Sequence, residues 1–217
     1  MGRSLETGSI GMIARIELAR QYDAEVMKKC VELYNIVFPQ KYHMDFSRFE
    51  EIAQKNPRLK ALCWLGDELA GFIHYYPLNT AAYDRFLASE ELFDMTIRAE
   101  DIMQYEKGHT HDIFIPSIVL NPVHQGKMLG LVLMRGLMLG LKDLQADGYK
   151  LGRLGATAYT DAGMHQLKMY MGMEVVRTIS GQETFDGFAQ TFQDIAVTGY
   201  CETAIKIIEE YMGFEGL

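Results

Sequence analysis

Residues 111–130 read His-Asp-Ile-Phe-Ile-Pro-Ser-Ile-Val-Leu-Asn-Pro-Val-His-Gln-Gly-Lys-Met-Leu-Gly, and this stretch decides the fold. Its apolar and β-branched part, residues 113–120, predicts a buried strand. Asn121 and Pro122 end that strand, because proline has no N–H to give to a neighbouring strand. The chain then passes through a turn at 125–127 into a helix that we expect to run to about Gln145.

A strand, a glycine-containing turn and a helix start bring several unpaired backbone N–H groups to one point. Such a point binds anions, most often phosphate, and the helix dipole contributes about 0.3–1 kcal/mol for a negative charge there. The sequence therefore predicts an anion site at this turn. An ordinary corner between a strand and a helix, without a ligand, stays open as the alternative.

This stretch resembles motif A of the GCN5-related N-acetyltransferases, the GNAT superfamily. That pattern consists of a strand, a small residue, Pro, two residues, Gln or Arg, two residues, Gly, one residue, and Gly or Ala. Met128 stands where the family usually has glycine, whereas the residues on either side fit. The resemblance implies that the turn binds the pyrophosphate of acetyl-CoA through Gln125, Gly126, Lys127, Met128, Leu129 and Gly130.

The order of the predicted elements extends the resemblance over most of residues 12–198. It implies an α/β GNAT fold, a central mixed and mostly antiparallel sheet flanked by helices, with strands 4 and 5 splayed to hold coenzyme A. We expect a flexible leader at 1–11 and a single domain at 12–217. The predicted strands are 12–18, 59–65, 69–76, 113–120, 149–159, 174–180 and 192–197, and the other predicted helices are 24–37, 45–56, 164–171 and 202–212.

An acidic insertion of about thirty residues, 77–110, separates the third strand from the central strand. Residues 77–112 hold eight acidic and three basic side chains, which gives −5 of the total net charge of −8. We predict helices at 86–95 and 99–105. A solvated helical insertion and a lid that binds substrate both remain open. As a lid, it would favour a cationic acceptor.

Composition narrows the class of protein. A chain of 217 residues with 48% hydrophobic residues suits a soluble globular domain, and the net charge of −8 speaks against a nucleic-acid surface. The cysteines at 30, 63 and 201 are odd in number and far apart, so we expect no disulfide framework, no metal site and a cytoplasmic location. We expect no signal peptide, and the apolar run 128–141 is too short to span a membrane.

A second motif, motif B of the same family, aligns on Gly172-Met173 and implies cofactor contacts by Asp161, Met164 and Lys168. Lys168 replaces the family's tyrosine, which usually protonates the departing thiolate. Tyr170 lies two residues on, about 200° around the helix, so packing against the sheet is its alternative role. Tyr159, at the end of the fifth strand, is a second candidate acid.

The predicted base is His111, because histidine titrates near neutrality and this residue opens the central strand. His109 lies on the same face of an extended chain, so a metal-binding pair competes, although no third ligand has helpful spacing. We interpret His74 as a core or rim histidine and His124 as a contact to phosphate. The resemblance implies that a backbone N–H within Ile118, Val119 and Leu120 polarises the thioester carbonyl.

These features predict an acyl-CoA-dependent N-acetyltransferase that transfers an acetyl group directly to the amine of a small molecule or peptide. Acetyl-CoA is the expected cosubstrate, without a metal, and a homodimer is compatible with the sequence. A GNAT-like protein that binds acyl-CoA without turnover is the alternative, since the motif B tyrosine is absent. A dinucleotide-binding fold is disfavoured because no G-x-G-x-x-G follows the first strand.

Overall fold

A computed structural model describes residues 14–88, 96–158, 161–185 and 188–212, which form two sheets flanked by helices. The strands are β1 Ala14–Leu18, β2 Lys60–Leu65, β3 Glu68–His74, β4 Tyr76–Leu78, β5 Thr110–Ile115, β6 Ile118–Leu120, β7 Lys150–Ala158, β8 Glu174–Phe185 and β9 Phe188–Tyr200. The helices are α1 Ala24–Val37, α2 Phe46–Lys55, α3 Thr80–Ala88, α4 Leu129–Ala146, α5 Asp161–Met171 and α6 Cys201–Met212.

Local sequence signals explain most of these boundaries. The carboxylate of Asp23 caps α1 by accepting hydrogen bonds from the N–H groups of Glu25 and Val26, so this helix begins and ends where the sequence predicted. Gly66 has a φ of 58° and makes the tight turn between β2 and β3. Gly148, with a φ of 87°, follows the end of α4.

The predicted strand at 113–120 is wrong as a single strand. It divides at Pro116 into β5 and β6, which belong to different sheets. β5 pairs in parallel with β7, whereas β6 pairs antiparallel with β3. Because proline offers no N–H, the ladder between β5 and β7 ends there and the chain can cross to the other sheet. The strand orders are β1-β2-β3-β6 and β4-β5-β7-β9-β8.

Helix α4 covers one face of the sheets, and α1 and α2 cover the other face of the first sheet. Two glycines let α4 approach closely. A Cβ at Gly140 would lie 2.5 Å from the hydroxyl oxygen of Tyr75, and a Cβ at Gly136 would lie 2.9 Å from the Cβ of Ala61. The position of α4 is therefore fixed by close packing along its length.

The sequence left open whether the insertion is solvated or forms a lid, and in the structure several of its described side chains are buried. Its helix begins at Thr80 rather than at residue 86, and the second predicted helix, 99–105, is only a short 3₁₀ turn at Ala99–Asp101. Residues 89–95 lie outside the described part of the chain. The side chains of Ala82, Tyr83 and Ile97 are fully buried in a cluster with Phe114 of β5. The insertion is thus part of the core on the face that α2 also covers.

Candidate functional site

A gap opens between β6 and β7 where the two sheets separate. The last paired residues of β5 and β7 are Ile115 and Ala156. Beyond them, Thr157 and Ala158 remain in register with β9 on the other edge of β7. The chain of β5 meanwhile turns toward β3 as β6. The two neighbouring strands therefore diverge at their carboxyl ends and leave a cleft between the sheets.

Backbone groups of β6 line this gap. The N–H of His74 donates to the carbonyl oxygen of Ser117 at 3.0 Å, and the N–H of Asn121 donates to that of Ala70 at 2.9 Å. In an antiparallel ladder the intervening residues turn their polar groups the other way. The N–H and C=O groups of Ile118 and Leu120 therefore point toward β7 and can bind an extended ligand, whereas those of Val119 face β3.

The turn before α4 exposes further backbone donors. Gly126 has a φ of 78° and Met128 a φ of 60°, so the chain twice enters the left-handed region before the helix starts. Residues 125–128 are exposed, whereas Leu129 is buried. Within the described part of the chain, no side chain caps α4. The N–H of Leu131 already donates to the carbonyl oxygen of Met128, so the N–H groups of Leu129 and Gly130 are the ones that can meet an anion beside the gap.

A chain of side-chain hydrogen bonds holds this turn in place. The ammonium of Lys127 donates to Nδ1 of His124 at 3.2 Å, and Nε2 of His124 lies 2.9 Å from the carboxylate of Glu68. The amide of Asn121 donates to the same carboxylate oxygen at 3.2 Å. Since Nδ1 accepts from lysine, the proton of a neutral ring is on Nε2 and points at Glu68. His124 is buried, and it positions the turn rather than standing free for phosphate.

Comparison with known proteins gives the fold. No protein-family model and no curated protein sequence matches this chain. Solved structures do match. The loading GNATL domain of CurA from Lyngbya majuscula has a TM-score of 0.59 at 12% identity, over 88% of this chain and 98% of its own. Arabidopsis thaliana NAA60 in complex with acetyl-CoA has a TM-score of 0.55 at 12% identity, over 87% and 99%. This chain has the GNAT fold. GphF, a GNAT-like decarboxylase in complex with isobutyryl-CoA, has a TM-score of 0.52 at 11% identity, over 86% and 99%.

Met128 is the residue at which this chain departs from the GNAT motif. It stands where the family usually has glycine, and it is the one non-glycine residue with positive φ among the described residues. A non-glycine residue in this region costs about 1–3 kcal/mol. Its side chain is 71% exposed, so packing does not repay that cost. The turn therefore has a backbone conformation that favours glycine, although Met128 occupies the position.

Helix α5 carries the motif B residues, and one of its side chains reaches the start of α4. Asp161 is its first residue, Met164 packs against the core on the α4 side, and Lys168 is exposed. The amide nitrogen of Gln166 would lie 3.1 Å from a Cβ at Gly130. The structure thus adds Gln166 to the surroundings of the turn. The motif alignment did not single it out, because it falls at a variable position.

His111, the predicted base, lies at the opposite end of β5 from the gap. Ile118 lies seven positions further along the chain, a distance of roughly 20 Å if the chain is extended. The ring is fully buried beside Tyr105, His109 and Tyr149, and its Nε2 lies 3.0 Å from the backbone nitrogen of Glu106. Burial lowers its pKa below the ordinary 6.5. The structure does not bring this residue to the gap, so its role as base stays a prediction.

Of the two predicted acids, Tyr170 lies in the described part of the chain, where it is not at the gap. The ring of Tyr170 packs edge-on against Tyr211 of α6 with ring centroids 4.5 Å apart, and a hydrogen bond to Tyr211 raises the pKa of Tyr170. Tyr170 therefore packs against α6 and not against the sheet, which was the alternative to its role as an acid. Tyr159 lies outside the described residues. Their roles as acids stay predictions.

The described residues offer neither a group of metal ligands nor a membrane-spanning helix. Among the described residues, no group of three or more His, Cys, Asp or Glu side chains could hold a metal ion. None of the described helices is long and apolar enough to cross a membrane.

Proposed function

We propose that this chain is an acyl-CoA-dependent N-acetyltransferase of the GNAT superfamily, which transfers an acetyl group from acetyl-CoA to the amine of a small molecule or peptide. One observation carries the proposal. The unpaired backbone edge of β6 and the uncapped N-terminus of α4 lie at successive points along one chain, joined by a turn of only a few residues. An extended thioester carrier with a pyrophosphate at one end fits both.

In this proposal the pyrophosphate binds backbone N–H groups of the turn and of the start of α4, namely those of Gly126, Met128, Leu129 and Gly130. The N–H groups of Gln125 and Lys127 already donate within the turn, to the carbonyl oxygens of Pro122 and His124. The negative charge is favoured there by the helix dipole and by the ammonium of Lys127. The extended arm of coenzyme A lies in the gap and bonds to Ile118 and Leu120 as a further strand would. One N–H of β6 polarises the thioester carbonyl and stabilises the oxyanion that forms on attack.

The reaction is direct transfer between two bound molecules. The amine nitrogen forms a bond to the carbonyl carbon, the carbon–sulfur bond breaks, and the thiolate takes up a proton. Because both reactants are held in the gap, the bimolecular reaction becomes effectively unimolecular. A base must receive the proton of the amine.

Turnover distinguishes this function from the alternative, a GNAT-fold protein that binds acyl-CoA without chemistry. Lys168 in place of the family's tyrosine, and Tyr170 packed on Tyr211, favour that alternative. The test measures release of free coenzyme A thiol from acetyl-CoA with a panel of small amines and peptide N-termini. Amine-dependent release, with the acetylated amine identified by mass spectrometry, supports the transferase. Binding of acetyl-CoA with no release from any amine supports the alternative.

A cationic acceptor is a further part of the proposal, supported by the charge of the insertion. Part of that charge is already compensated, because Arg153 pairs with both Asp84 and Asp112, and Arg85 pairs with Asp101. Glu90, Glu91 and Asp94 lie outside the described residues. Changing these three to Gln, Gln and Asn should lower kcat/KM for a cationic amine at low salt and leave a neutral amine unaffected. An unchanged ratio between the two amines contradicts selection by charge.

A further inference from the structure

Ser117 stands at the point where the two sheets part, between β5 and β6. Its side chain is only 6% exposed, and its hydroxyl oxygen lies 3.1 Å from Nδ1 of His74 on β3. The same two residues are joined through the backbone, since the N–H of His74 donates to the carbonyl oxygen of Ser117. The hydroxyl is therefore held in one place, next to the backbone groups that line the gap.

His74 is not an ordinary core residue. It is 1% exposed, and its ring centroid lies 5.0 Å from that of Phe49, 4.8 Å from Phe72 and 5.1 Å from Tyr76. Within the described residues, its Nε2 has no hydrogen-bond partner. A buried polar atom without a partner costs about 1–3 kcal/mol. A leucine or phenylalanine would fill this aromatic pocket without that cost, so packing alone does not account for histidine.

The pair lies on the opposite face of the sheet from the turn. Val119, two residues beyond Ser117, packs in the cluster beneath α1 and α2, and side chains two apart in a strand share a face. Ile118 and Leu120 pack toward α4 instead. A thioester carrier anchored at the start of α4 enters the gap from the α4 side. An acceptor that meets it inside the gap then comes from the side on which Ser117 and His74 lie.

We propose that Ser117 is a catalytic residue that takes the proton of the attacking amine, and that His74 is the positioning residue that receives the proton of Ser117. The inference rests on the proposed function. As the nitrogen–carbon bond forms and the carbon–sulfur bond breaks, the amine proton passes to Oγ of Ser117 while the hydroxyl proton passes to Nδ1 of His74. The proton then returns to the departing thiolate or to solvent. The products are the acetylated amine and free coenzyme A.

The surroundings of His74 suit a group that is neutral before the reaction. Burial, reinforced by Lys60 directly opposite on β2, lowers its pKa well below 6.5. The ring is therefore uncharged near pH 7. Because the same surroundings disfavour the imidazolium, His74 holds the proton from Ser117 only while the nitrogen–carbon bond forms and then passes it on. Lys60 is itself buried, and burial lowers its pKa too.

The test compares Ser117→Ala and His74→Ala with the wild type on an amine that the panel shows to be acetylated. We expect kcat to fall by about 10²–10⁴-fold in each variant while the acetyl-CoA Kd stays within about twofold. The double variant should be no slower than the slower single variant, because the two residues act as one unit. Added imidazole should restore part of the activity of His74→Ala but none of that of Ser117→Ala. His43→Ala, at an exposed histidine, is the matched control and should behave as wild type.

Distinct outcomes overturn the two proposals. If the wild type acetylates an amine and Ser117→Ala keeps kcat within threefold, the pair takes no part in proton transfer. Multiplicative losses in the double variant, without rescue by imidazole, contradict it as well. Should His74→Ala fail to fold, Ser117→Ala, which removes one oxygen atom, decides alone. A wild type that binds acetyl-CoA and acetylates nothing defeats the proposed function itself, and this inference with it.

Discussion

A methyl group on Gly71 would lie 2.6 Å from the carbonyl oxygen of Val119, so β3 and β6 approach too closely for any side chain at this position. Gly71 stands opposite Leu120 in the register of the two strands. The close approach holds β6 against β3 and away from β7. The position of one glycine thus helps to keep the gap open.

Gly71→Ala should push β6 away from β3, toward the gap. We expect a loss of about 1–3 kcal/mol in unfolding free energy, typical of overpacking, and weaker acetyl-CoA binding in calorimetry. Gly199→Ala is the matched control, because the nearest atom to its new Cβ would be at an ordinary 3.4 Å. Equal effects of the two substitutions on binding would show that the β3–β6 contact does not shape the site.

Met128→Gly should stabilise the protein. Glycine adopts the left-handed conformation without strain, and it gives up little packing because the methionine side chain is exposed. After allowance for the greater freedom of glycine in the unfolded chain, we expect a gain of about 1 kcal/mol in chemical denaturation. Met169→Gly, at an exposed methionine within α5, should instead lose about 1 kcal/mol. A destabilised Met128→Gly variant would contradict the strain.

Glu68→Ala should loosen the turn before α4. This carboxylate accepts hydrogen bonds from both His124 and Asn121, so its removal frees two residues that fix the turn. We expect acetyl-CoA affinity to fall by roughly 3–30-fold, which corresponds to about one or two lost hydrogen bonds. Asp67→Ala, at the neighbouring exposed carboxylate, serves as the control for charge. Identical affinities in the two variants would mean that the hydrogen-bond chain does not preorganise the turn.

Stability should fall as the pH drops below about 6.5. Burial lowers the pKa of both His74 and His111, so the unfolded chain binds more protons than the folded one below the ordinary histidine pKa of 6.5. The stabilisation is complete above pH 6.5 and is lost as the pH falls toward the folded values. Lys60 beside His74 and His109 beside His111 lower the pKa in the same direction as burial. Glu106 and Asp112 raise the pKa of His111, and burial outweighs them.

Urea unfolding between pH 7.5 and 5.5 measures this loss, which can reach about 1.4 kcal/mol per pH unit for each histidine. His111→Gln should flatten the curve. A free energy of unfolding that stays constant over this range would show that neither ring is held neutral by the fold.

Most of the order of strands and helices could be predicted from the sequence, because the residues that specify each boundary lie next to it in the chain. Asp23 before an amphipathic run, Gly66 in a hairpin and Gly148 after a helix each specify their own turn. The division of residues 113–120 was not predictable in the same way. Pro116 marks where a ladder must end, but only the partners β3 and β7 decide that the chain then changes sheets.

The geometry of the candidate site could be predicted from the sequence where it depends on the local backbone, whereas contacts between distant side chains could not. The turn at 125–130 follows from glycine and proline spacing alone. The contact of His74 with Ser117 joins residues 43 positions apart, and no spacing rule reports it. His111 was chosen for its place at the start of a strand, and the sequence could not tell that this end lies away from the gap.

The central claim is that the gap and the turn before α4 bind acetyl-CoA, and calorimetric titration of the wild type tests it most directly. Gly126→Val is the matched variant, because a φ of 78° strains any side chain at this position whatever the space around it. We expect saturable binding of acetyl-CoA to the wild type and at least tenfold weaker binding to the variant, because the backbone donors of the turn would be displaced. Absence of binding to the wild type at millimolar acetyl-CoA would contradict it.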